Sequence, residues 1–333
     1  MLGLFLINTC VMSWKSILGP DIKKINTLTP VKDSFIFVDD HIGTSMHDTD
    51  MDVFLDLLYS NLHGDLRLVV EYIESKELAF NFQNQIMFIP VWAIKSVQDL
   101  NQYVPYTECA EKNSIFNFSV NKTRYNRRRL LELLDQYNLT TETYSLCGKQ
   151  SWYNFKPKFM INKNEKLLDD VILNKDRNNF DIYQSYLRAN VFEPSYISLI
   201  TEPGWYSDST FITEKTVFAF EAQTIPIWVG GYKQAENFKK IGFDVFDDVV
   251  DHSYQTLMRP EKRIEIAIKN NVDLLKDINF LKEFYNKNKD RFKNNRKLIR
   301  DNQIVQFVRN EINRLSHWPK QAHIDALKLC NLH

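Results

Sequence analysis

The sequence predicts an α/β fold with parallel β-sheets, organised as two domains. Short apolar segments typical of buried strands alternate along the chain with stretches of helical apolar spacing. This alternation favours parallel strands, because parallel strands need long crossover connections that usually contain a helix. The chain has 333 residues, a length that suits two domains of ordinary size.

The N-terminal domain is predicted to cover residues 1–105. Its strands are expected within the apolar N-terminus and at 33–41, 66–75 and 85–94, and a helix is expected from about 52 to 62. The polar stretch from 100 to 112 marks the end of this domain. The apolar pattern of this domain is less regular than that of the second domain.

The second domain is predicted to cover residues 106–260. It begins with the strand SIFNFSV and the amphipathic helix NRRRLLELLDQYNL, and its later strands are expected in ETYSLCG, SYISLITE, IPIWVG and IGFDVFDD. The segment SYISLITE is almost continuously apolar, as in parallel strands that are covered on both faces. A helix is expected from about Thr213 to Ala222, and residues 261–333 are predicted to form a helical segment that packs across the domains.

Composition argues against several classes of protein. The formal net charge is zero, which disfavours a generally polyanionic partner. The four cysteines show no CxxC spacing, so we expect free thiols in a reducing, cytoplasmic compartment and no structural zinc. The apolar N-terminus is too short to span a bilayer, so we predict no transmembrane segment, with a signal anchor as the alternative. The sequence leaves the oligomeric state open.

The stretch from Ser195 to Ala222 joins a strand, a loop and a helix start whose chemistry suits an anion. Ligands of open α/β sheets bind beyond the carboxyl ends of the strands, and Glu202 is predicted at that edge. Thr213, Glu214 and Lys215 lie at the next helix start, where unpaired N–H groups and the lysine favour an anion. The Glu214 carboxylate is suited to ribose hydroxyls. In the alternative, Thr213 caps the helix and Glu214 pairs with a neighbouring cation.

Four arginines follow the first strand of the second domain: Arg124, Arg127, Arg128 and Arg129. The planar guanidinium group suits phosphate oxygens, so this cluster is a second candidate for anion binding. We expect two of the four to be solvated on a surface helix. One short basic patch in a neutral chain is weak support for nucleic-acid binding.

The segment STFITEKTVFAFEAQTIPIWVGG, preceded by SLITE, resembles the donor-binding core of the α1,3-fucosyltransferase family. That family has a strand ending in F-E-N-S, then Y-(I/V)-T-E-K, a helix, and (T/V)-(I/V)-P-(I/V)-x-x-G. Its upstream S-N…R-x-x-(F/L)-x-x-x-L helix is similar to SVNKTRYNRRRLLELL. The resemblance extends over residues 116–246, whereas the first hundred residues match only in pattern.

The resemblance implies a GT-B fold, in which two Rossmann-like domains flank a cleft and the C-terminal domain binds a nucleotide-sugar donor. The expected activity is inverting transfer of a sugar, fucose from GDP-fucose, to an acceptor hydroxyl, with no tightly bound cofactor and no divalent metal. A carbohydrate acceptor is expected, and a protein, lipid or nucleic acid remains open. The sequence departs from the family where sugar and base contacts are expected: Pro203 and Gly204 replace Asn-Ser after Glu202, and the loop is about two residues longer than in the family.

Candidate donor contacts follow from the resemblance, position by position. It places Arg127 at the pyrophosphate, Lys215 at a phosphate and Glu214 at the ribose hydroxyls. The other residues assigned to donor binding are Thr213, Arg124 and Phe211, which takes the place of the usual tyrosine and lacks its hydroxyl.

Inverting transfer also needs a carboxylate that accepts the proton of the acceptor hydroxyl. In the family this base is a glutamate of the N-terminal domain near a strand end. Glu74 and then Glu71 are the leading candidates because they follow the strand LRLVV, with Asp39 and Asp40 next. Glu202, at the position of the F-E-N-S glutamate, is the other candidate catalytic acid.

Two alternative functions are kept. The D-x-D patterns within residues 48–52 could hold a divalent metal in a GT-A glycosyltransferase, although an aspartate before a helix is more often a cap. The chain could also be a non-catalytic module that recognises a nucleotide, a glycan or a nucleic acid. Metal dependence, sugar-nucleotide hydrolysis and the salt dependence of binding distinguish these functions.

Overall fold

The protein is described from a computed structural model. The structure describes residues 10–13, 36–39, 68–70, 74–75, 84, 86–120, 125–139, 141, 143–146, 188–202, 205, 209–330 and 332. Over these residues it is a mixed α/β protein with parallel sheets, as the sequence predicts. The chain forms two compact units: residues 1–95 with 305–333, and residues 96–304.

The elements are named in chain order. The strands are β1 (Cys10–Ser13), β2 (Ile36–Asp39), β3 (Leu68–Val70), β4 (Glu74–Ser75), β5 (Ile86–Phe88), β6 (Ser114–Val120), β7 (Thr143–Leu146), β8 (Ser195–Ile200), β9 (Ser209–Thr210) and β10 (Ile225–Trp228). The helices are α1 (Val91–Tyr103), α2 (Tyr125–Gln136), α3 (Glu214–Glu221), α4 (Gln234–Lys240), α5 (Pro260–Asn270), α6 (Ile278–Lys287), α7 (Lys289–Arg300), α8 (Val305–Arg314) and α9 (Lys320–Leu329).

The first unit contains a parallel sheet with the strand order β1-β2-β3-β5. Helix α8 is tied to this sheet, because the Phe88 backbone N–H donates to Glu311 Oε2 at 2.9 Å. Trp318 Nε1 likewise donates to the carbonyl oxygen of Asn84 at 2.9 Å. The tail predicted as one segment, 261–333, is therefore divided: α5, α6 and α7 belong to the second unit, and α8 and α9 to the first.

Two strand predictions in the first unit need correction. The segment 66–75 is not one strand but two, β3 and β4. The segment 85–94 is a strand only as far as Phe88, and α1 begins at Val91. Pro90 lies directly before this helix, where its fixed φ and missing N–H are tolerated. Short apolar runs do not distinguish a strand from a buried helix, so the pattern gave one strand where the chain changes to a helix.

The second unit contains a parallel sheet with the order β10-β8-β6-β7. All six residues of β8 are buried, which explains its almost continuously apolar sequence. From β6 the chain passes to β7 on one side and then to β8 on the other side of β6. The carboxyl ends of β6 and β8 thus flank a topological switch point, where connections leave in opposite directions and open a crevice.

The core of the second unit forms between the sheet and the helices on it. Phe116 and Phe118 of β6 pack in one cluster with the buried leucines of α2, namely Leu130, Leu131, Leu133 and Leu134. Ile264 and Ile268 of α5 join the same cluster. This packing places the first turn of α2 directly beyond the carboxyl end of β6, next to the switch point.

The predicted last strand, IGFDVFDD, is wrong. Residues 241–248 form two turns joined by irregular backbone, with positive φ of 95° at Gly242 and 57° at Phe246. Phe246 is buried and stacks on Phe292 at a centroid distance of 4.5 Å, while Arg291 binds both Asp244 and Asp248. The alternation of apolar and acidic residues thus reflects a turn with inward anchors and outward acids, a pattern that also resembles a half-buried strand.

A buried lysine closes the amino edge of this sheet. Lys112 Nζ donates to three carbonyl oxygens: Ser195 at 2.7 Å, Ala222 at 2.9 Å and Glu193 at 3.1 Å. Lys112 thereby joins the chain segments that lead into β6, β8 and β10. Burial lowers the pKa of Lys112 to about 7, and the nearby charges of Cys109 and Glu193 oppose this shift.

The length of the helices and the state of the cysteines both bear on the sequence predictions. Among the helices that the structure describes, none has both the length and the apolar character required to cross a bilayer. Cys109 and Cys330 are free thiols, as the cysteine spacing predicts.

We predict that Lys112→Met destabilises the second unit. The substitution leaves buried carbonyl oxygens unpaired, at about 1–3 kcal/mol for each group: three where the Lys112 ammonium is protonated, and two where the neutral amine with its two N–H donors is present. Because the folded-state pKa is depressed, the folded chain binds fewer protons than the unfolded chain above about pH 7. The free energy of unfolding of the wild type, relative to that of the variant, should therefore rise from about pH 7 to about pH 9 in urea titrations at fixed salt. A constant difference across that range would show that Lys112 does not titrate there.

Candidate functional site

The candidate site lies at the switch point of the second unit. Helix α2 begins just beyond the carboxyl end of β6, and Glu202 follows β8. These two positions are in contact, because Asn126 Nδ2 donates to the Glu202 carbonyl oxygen at 3.1 Å. The sequence separation is 76 residues, so the contact depends on the parallel pairing of β6 with β8.

The Glu202 side chain reaches the start of α3. Its Oε1 accepts hydrogen bonds from the Thr213 N–H at 3.0 Å and from Thr216 Oγ1 at 2.7 Å. Its Oε2 accepts from Thr213 Oγ1 at 2.6 Å. Thr216 Oγ1 in turn accepts from Trp228 Nε1 at 3.0 Å. One buried residue thus fixes the starts of both α2 and α3 beside the same strand end.

The environment of Glu202 suits a positioning role better than proton transfer. Glu202 is only 3% exposed, and its two oxygens hold three protein donors. Burial raises the pKa of Glu202, while the Lys215 charge and the hydrogen bonds from Thr213 oppose the shift. A carboxylate already bound by three donors has little capacity left for an acceptor hydroxyl.

The start of α3 places the Thr-Glu-Lys motif as the sequence predicts. Thr213 is the N-cap, and its Oγ1 accepts from the Lys215 N–H at 3.4 Å. Lys215 Nζ and Glu214 Oε1 form an ion pair at 2.8 Å. Their side chains are 9% and 24% exposed, respectively. The ion pair of the alternative interpretation is therefore present, and Lys215 already has an anionic neighbour.

The arginine cluster separates into buried and solvated members. Arg127, next to Asn126 in the first turn of α2, is 4% exposed. Arg128 and Arg129 both pair with Glu132, at 3.0 and 3.1 Å, on the accessible face of the helix. These two match the expectation of solvated arginines, and Arg127 is the member that lies at the switch point. Arg124 lies outside the described residues.

Two buried polar atoms beside the switch point lack hydrogen bonds within the described part of the chain. They are Asn126 Oδ1 and Thr201 Oγ1. Thr201 is fully buried directly after β8, and Asn126 is fully buried at the start of α2. Buried polar atoms without partners are unusual and commonly mark a place where water or a ligand binds.

Aromatic rings lie beside the same edge. Tyr125 and Trp205 stack with a centroid distance of 5.1 Å and an interplanar angle of 21°. Arg263 Nη2 donates to the Trp205 carbonyl oxygen at 3.1 Å. Gly230, the last residue of the T-I-P-I-x-x-G motif, has a φ of +85°, and a β-carbon there would lie 2.8 Å from Ile264 Cγ1. The motif glycine is thus required by the backbone and by close packing on α5.

The other candidate residues are placed as follows. Phe211 is 1% exposed in the core, so its side chain supports the site through packing. Glu74 lies in β4 and Asp39 ends β2, both in the first unit. Glu71, Asp40 and the D-x-D patterns within 48–52 lie outside the described residues. The part of the chain that is described contains no group of three or more histidine, cysteine or acidic side chains arranged to hold a metal.

Four further residues of the site were not predicted from the sequence: Asn126, Thr216, Trp228 and Tyr125. Thr216 follows the N-cap Thr213 by three residues, and this T-x-x-T spacing resembles the capping-box pattern. Tyr125 and Asn126 lie between Arg124 and Arg127, so the positive charge of the arginines is the stronger signal in this segment. Their contacts join parts of the chain distant in sequence, so local patterns could not reveal them.

No protein-family model matches the chain, and no match was found among curated proteins or among solved structures.

We predict that Glu202→Gln destabilises the second unit without changing the surface exposed on unfolding. An amide offers one acceptor oxygen in place of two, so one donor from Thr213 or Thr216 loses its partner. The loss should be about 1.5–3 kcal/mol, as for a hydrogen bond to a charged group. The urea midpoint should fall with an unchanged m-value. Glu283→Gln, at an exposed position of α6, removes an acid elsewhere and should leave the midpoint unchanged; equal midpoints for both variants would contradict the role of Glu202.

Proposed function

We propose that the protein is a glycosyltransferase of the GT-B type that binds a nucleotide-sugar donor at the switch point of its second unit. The observation on which this rests is the convergence of two helix starts, those of α2 and α3, on Glu202. Each of these helix starts bears a basic side chain, Arg127 on α2 and Lys215 on α3. Helix starts at the carboxyl edge of a parallel sheet are the usual sites for phosphates.

In the proposed complex, the donor diphosphate replaces Glu214 as the partner of Lys215. The Glu214–Lys215 pair keeps the lysine compensated when no ligand is bound. A diphosphate has more charge and more acceptor oxygens than one carboxylate, so it competes effectively for the ammonium. The exchange releases Glu214 to accept hydrogen bonds from ribose hydroxyls. The unpaired atoms of Asn126 and Thr201 offer further polar contacts beside the same edge.

The nucleotide base is assigned to the aromatic side of the site. Tyr125 is half exposed and stacked on Trp205, so one face of this ring pair remains accessible. Aromatic faces accept any nucleobase with little selectivity. Base identity would therefore depend on polar groups of the loops around the pair. GDP remains the donor nucleotide expected from the resemblance to α1,3-fucosyltransferases.

The proposed reaction is a direct displacement at the anomeric carbon. A carboxylate takes the proton of the acceptor hydroxyl, whose oxygen attacks from the face opposite the phosphate. The bond between the anomeric carbon and the phosphate oxygen breaks as the new glycosidic bond forms, which inverts the configuration. Arg127 and Lys215 stabilise the charge of the leaving nucleoside diphosphate, so the proposal assigns no step to a metal. Glu74 is the proposed base, with Glu71 second.

We predict that Arg127→Ala and Lys215→Ala each weaken nucleotide binding by about 1.5–3 kcal/mol, the value of a charge-assisted contact, or roughly 10- to 150-fold in Kd. Binding is measured by calorimetry after a thermal-shift screen of GDP, UDP, ADP, CMP and dTDP. Arg128→Ala is the matched control because Arg128 is a solvated arginine of the same helix. A loss of nucleotide affinity in Arg128→Ala but not in Arg127→Ala would refute the assignment. Wild-type affinity in both Arg127→Ala and Lys215→Ala would also refute it.

We predict that Glu74→Gln keeps nucleotide affinity and loses most sugar transfer. A glutamine cannot accept the proton, whereas the donor site in the second unit is unchanged. General-base catalysis contributes about 10²- to 10⁴-fold, so kcat should fall by that range. The measurement compares acceptor-dependent turnover with donor affinity in the same preparation. Turnover equal to that of the wild type would move the base to Glu71 or to another acid.

A second candidate function is a non-catalytic nucleotide-binding module. The observation that favours it is the existing ion pair of Lys215, which satisfies the lysine without any substrate. Nucleotide binding that is sensitive to Arg127→Ala, with no hydrolysis or transfer from any nucleotide sugar, would support this module. Activity that disappears with a chelator and returns with a divalent ion would instead support the GT-A alternative.

A further inference from the structure

A second concave site lies at the opposite edge of the sheet in the second unit. A cavity of about 600 Å³ opens beside the segment that precedes β6 and is bounded on its other side by α6 and α7. Lys112, which joins the amino ends of the strands, forms part of its wall. The candidate donor site lies at the carboxyl ends of the same strands, so the two sites are separated by the length of the sheet.

The cavity wall has more basic than acidic side chains. Its lining has five basic side chains and two acidic ones, Glu108 and Glu111. Lys282 lies on α6, and Lys289 and Lys293 lie one helical turn apart on α7. None of these three exposed lysines forms an ion pair with another described residue. A concave cluster of three ammonium groups that form no ion pair with a described residue favours an anion with more than one charge.

Rigid polar and aromatic groups complete the wall. The Tyr196 hydroxyl donates to the Lys112 carbonyl oxygen at 3.2 Å, and the Tyr285 hydroxyl donates to Gln223 Oε1 at 3.1 Å. Arg296 lies under the exposed ring of Tyr106, with the guanidinium carbon 4.2 Å from the ring centroid. Arg296 is held from behind, because its Nη2 binds the buried carboxylate of Glu221 at 2.8 Å. The wall thus includes a fixed guanidinium covered by an aromatic ring as well as exposed lysines.

We propose that this cavity binds a small organic phosphate, such as a nucleoside triphosphate or another metabolite with a ring and several phosphate charges. The lysines of α6 and α7 contact the phosphate groups, and Tyr106 stacks on the planar ring. The volume lies within the 300–1,000 Å³ that is typical of small-molecule sites. The concave shape favours a compact ligand over an extended polymer. This inference is independent of the proposed glycosyltransferase activity.

Cys109 provides a local reporter of occupancy. This thiol lines the cavity and is partly exposed, and its Sγ donates to the Glu221 carbonyl oxygen at 3.6 Å. Burial raises the pKa of the Cys109 thiol, so alkylation with iodoacetamide is best followed at about pH 9, where more thiolate is present. Peptide mass spectrometry separates Cys109 from the other cysteines. Tripolyphosphate tests the phosphate contacts alone, and ATP tests the phosphate contacts together with the ring.

We expect both probes to slow alkylation of Cys109, and ATP to do so at the lower concentration. Lys289→Gln/Lys293→Gln should raise the concentration required for protection by at least about tenfold. The control variant Lys287→Gln/Lys297→Gln removes the same amount of charge from exposed positions of α6 and α7 that do not line the cavity. It should change the concentration required for protection less than about twofold. Lys215→Ala should leave protection intact, which separates this site from the proposed donor site.

Four outcomes would overturn the proposal. The first is unchanged alkylation with either probe at about 50 mM salt, where screening is moderate. The second is an equal loss of protection in the two double-lysine variants, which would indicate a diffuse charge effect. The third is protection by tripolyphosphate that disappears in Lys215→Ala, which would assign the binding to the carboxyl edge of the sheet. Protection by tripolyphosphate but not by ATP would contradict the ring contact with Tyr106 and remove the organic phosphate from the proposal.

Discussion

The buried carboxylate of Glu202 is the interaction on which the architecture of the second unit's site depends. Its backbone oxygen holds Asn126 of α2, and its side chain holds Thr213 and Thr216 of α3. The cost of burying a carboxylate is offset by three hydrogen bonds and by the positive end of a helix. Because both helices meet at one residue, their relative placement beyond β6 and β8 is set before any ligand arrives. The same contacts therefore set the positions of the basic residues in these two helix starts, Arg127 and Lys215.

The same arrangement explains how a strongly charged site remains stable without a ligand. Lys215 is nearly buried, and an isolated buried ammonium would be costly. Glu214 compensates it at the adjacent position, where no other part of the fold must move to make or break the pair. In a largely buried pair of this kind, the desolvation cost offsets most of the Coulombic attraction, so its net contribution to stability is small. Exchange of its acidic partner for a more highly charged ligand therefore has a small intrinsic cost, in keeping with the proposed role of the motif.

Sequence patterns predicted the elements whose burial is uniform and failed where the fold imposed irregular geometry. β8 and α2 were predictable because continuous burial and helical apolar spacing leave clear signals. The turn at 241–248 was not, since inward phenylalanines and outward acids imitate the alternation of a strand. At the site, Glu202, Glu214 and Lys215 were predictable from their place after a strand or at a helix start. The convergence of α2 and α3 was not, because it depends on which strands pair.

Helix α3 has a buried carboxylate at both ends, and this has a mechanical consequence. At its first turn Thr213 and Thr216 are bonded to Glu202, and at its last residue Glu221 is clamped by Arg296 and Arg300. Translation along its axis or rotation about it would break charge-assisted bonds at both extremities simultaneously. The position and orientation of α3 are therefore fixed at both of its ends. Because the backbone of α3 is already fixed, ordering this helix adds no entropic cost when a ligand binds, and the remaining adjustment falls to side-chain rotamers and flanking loops.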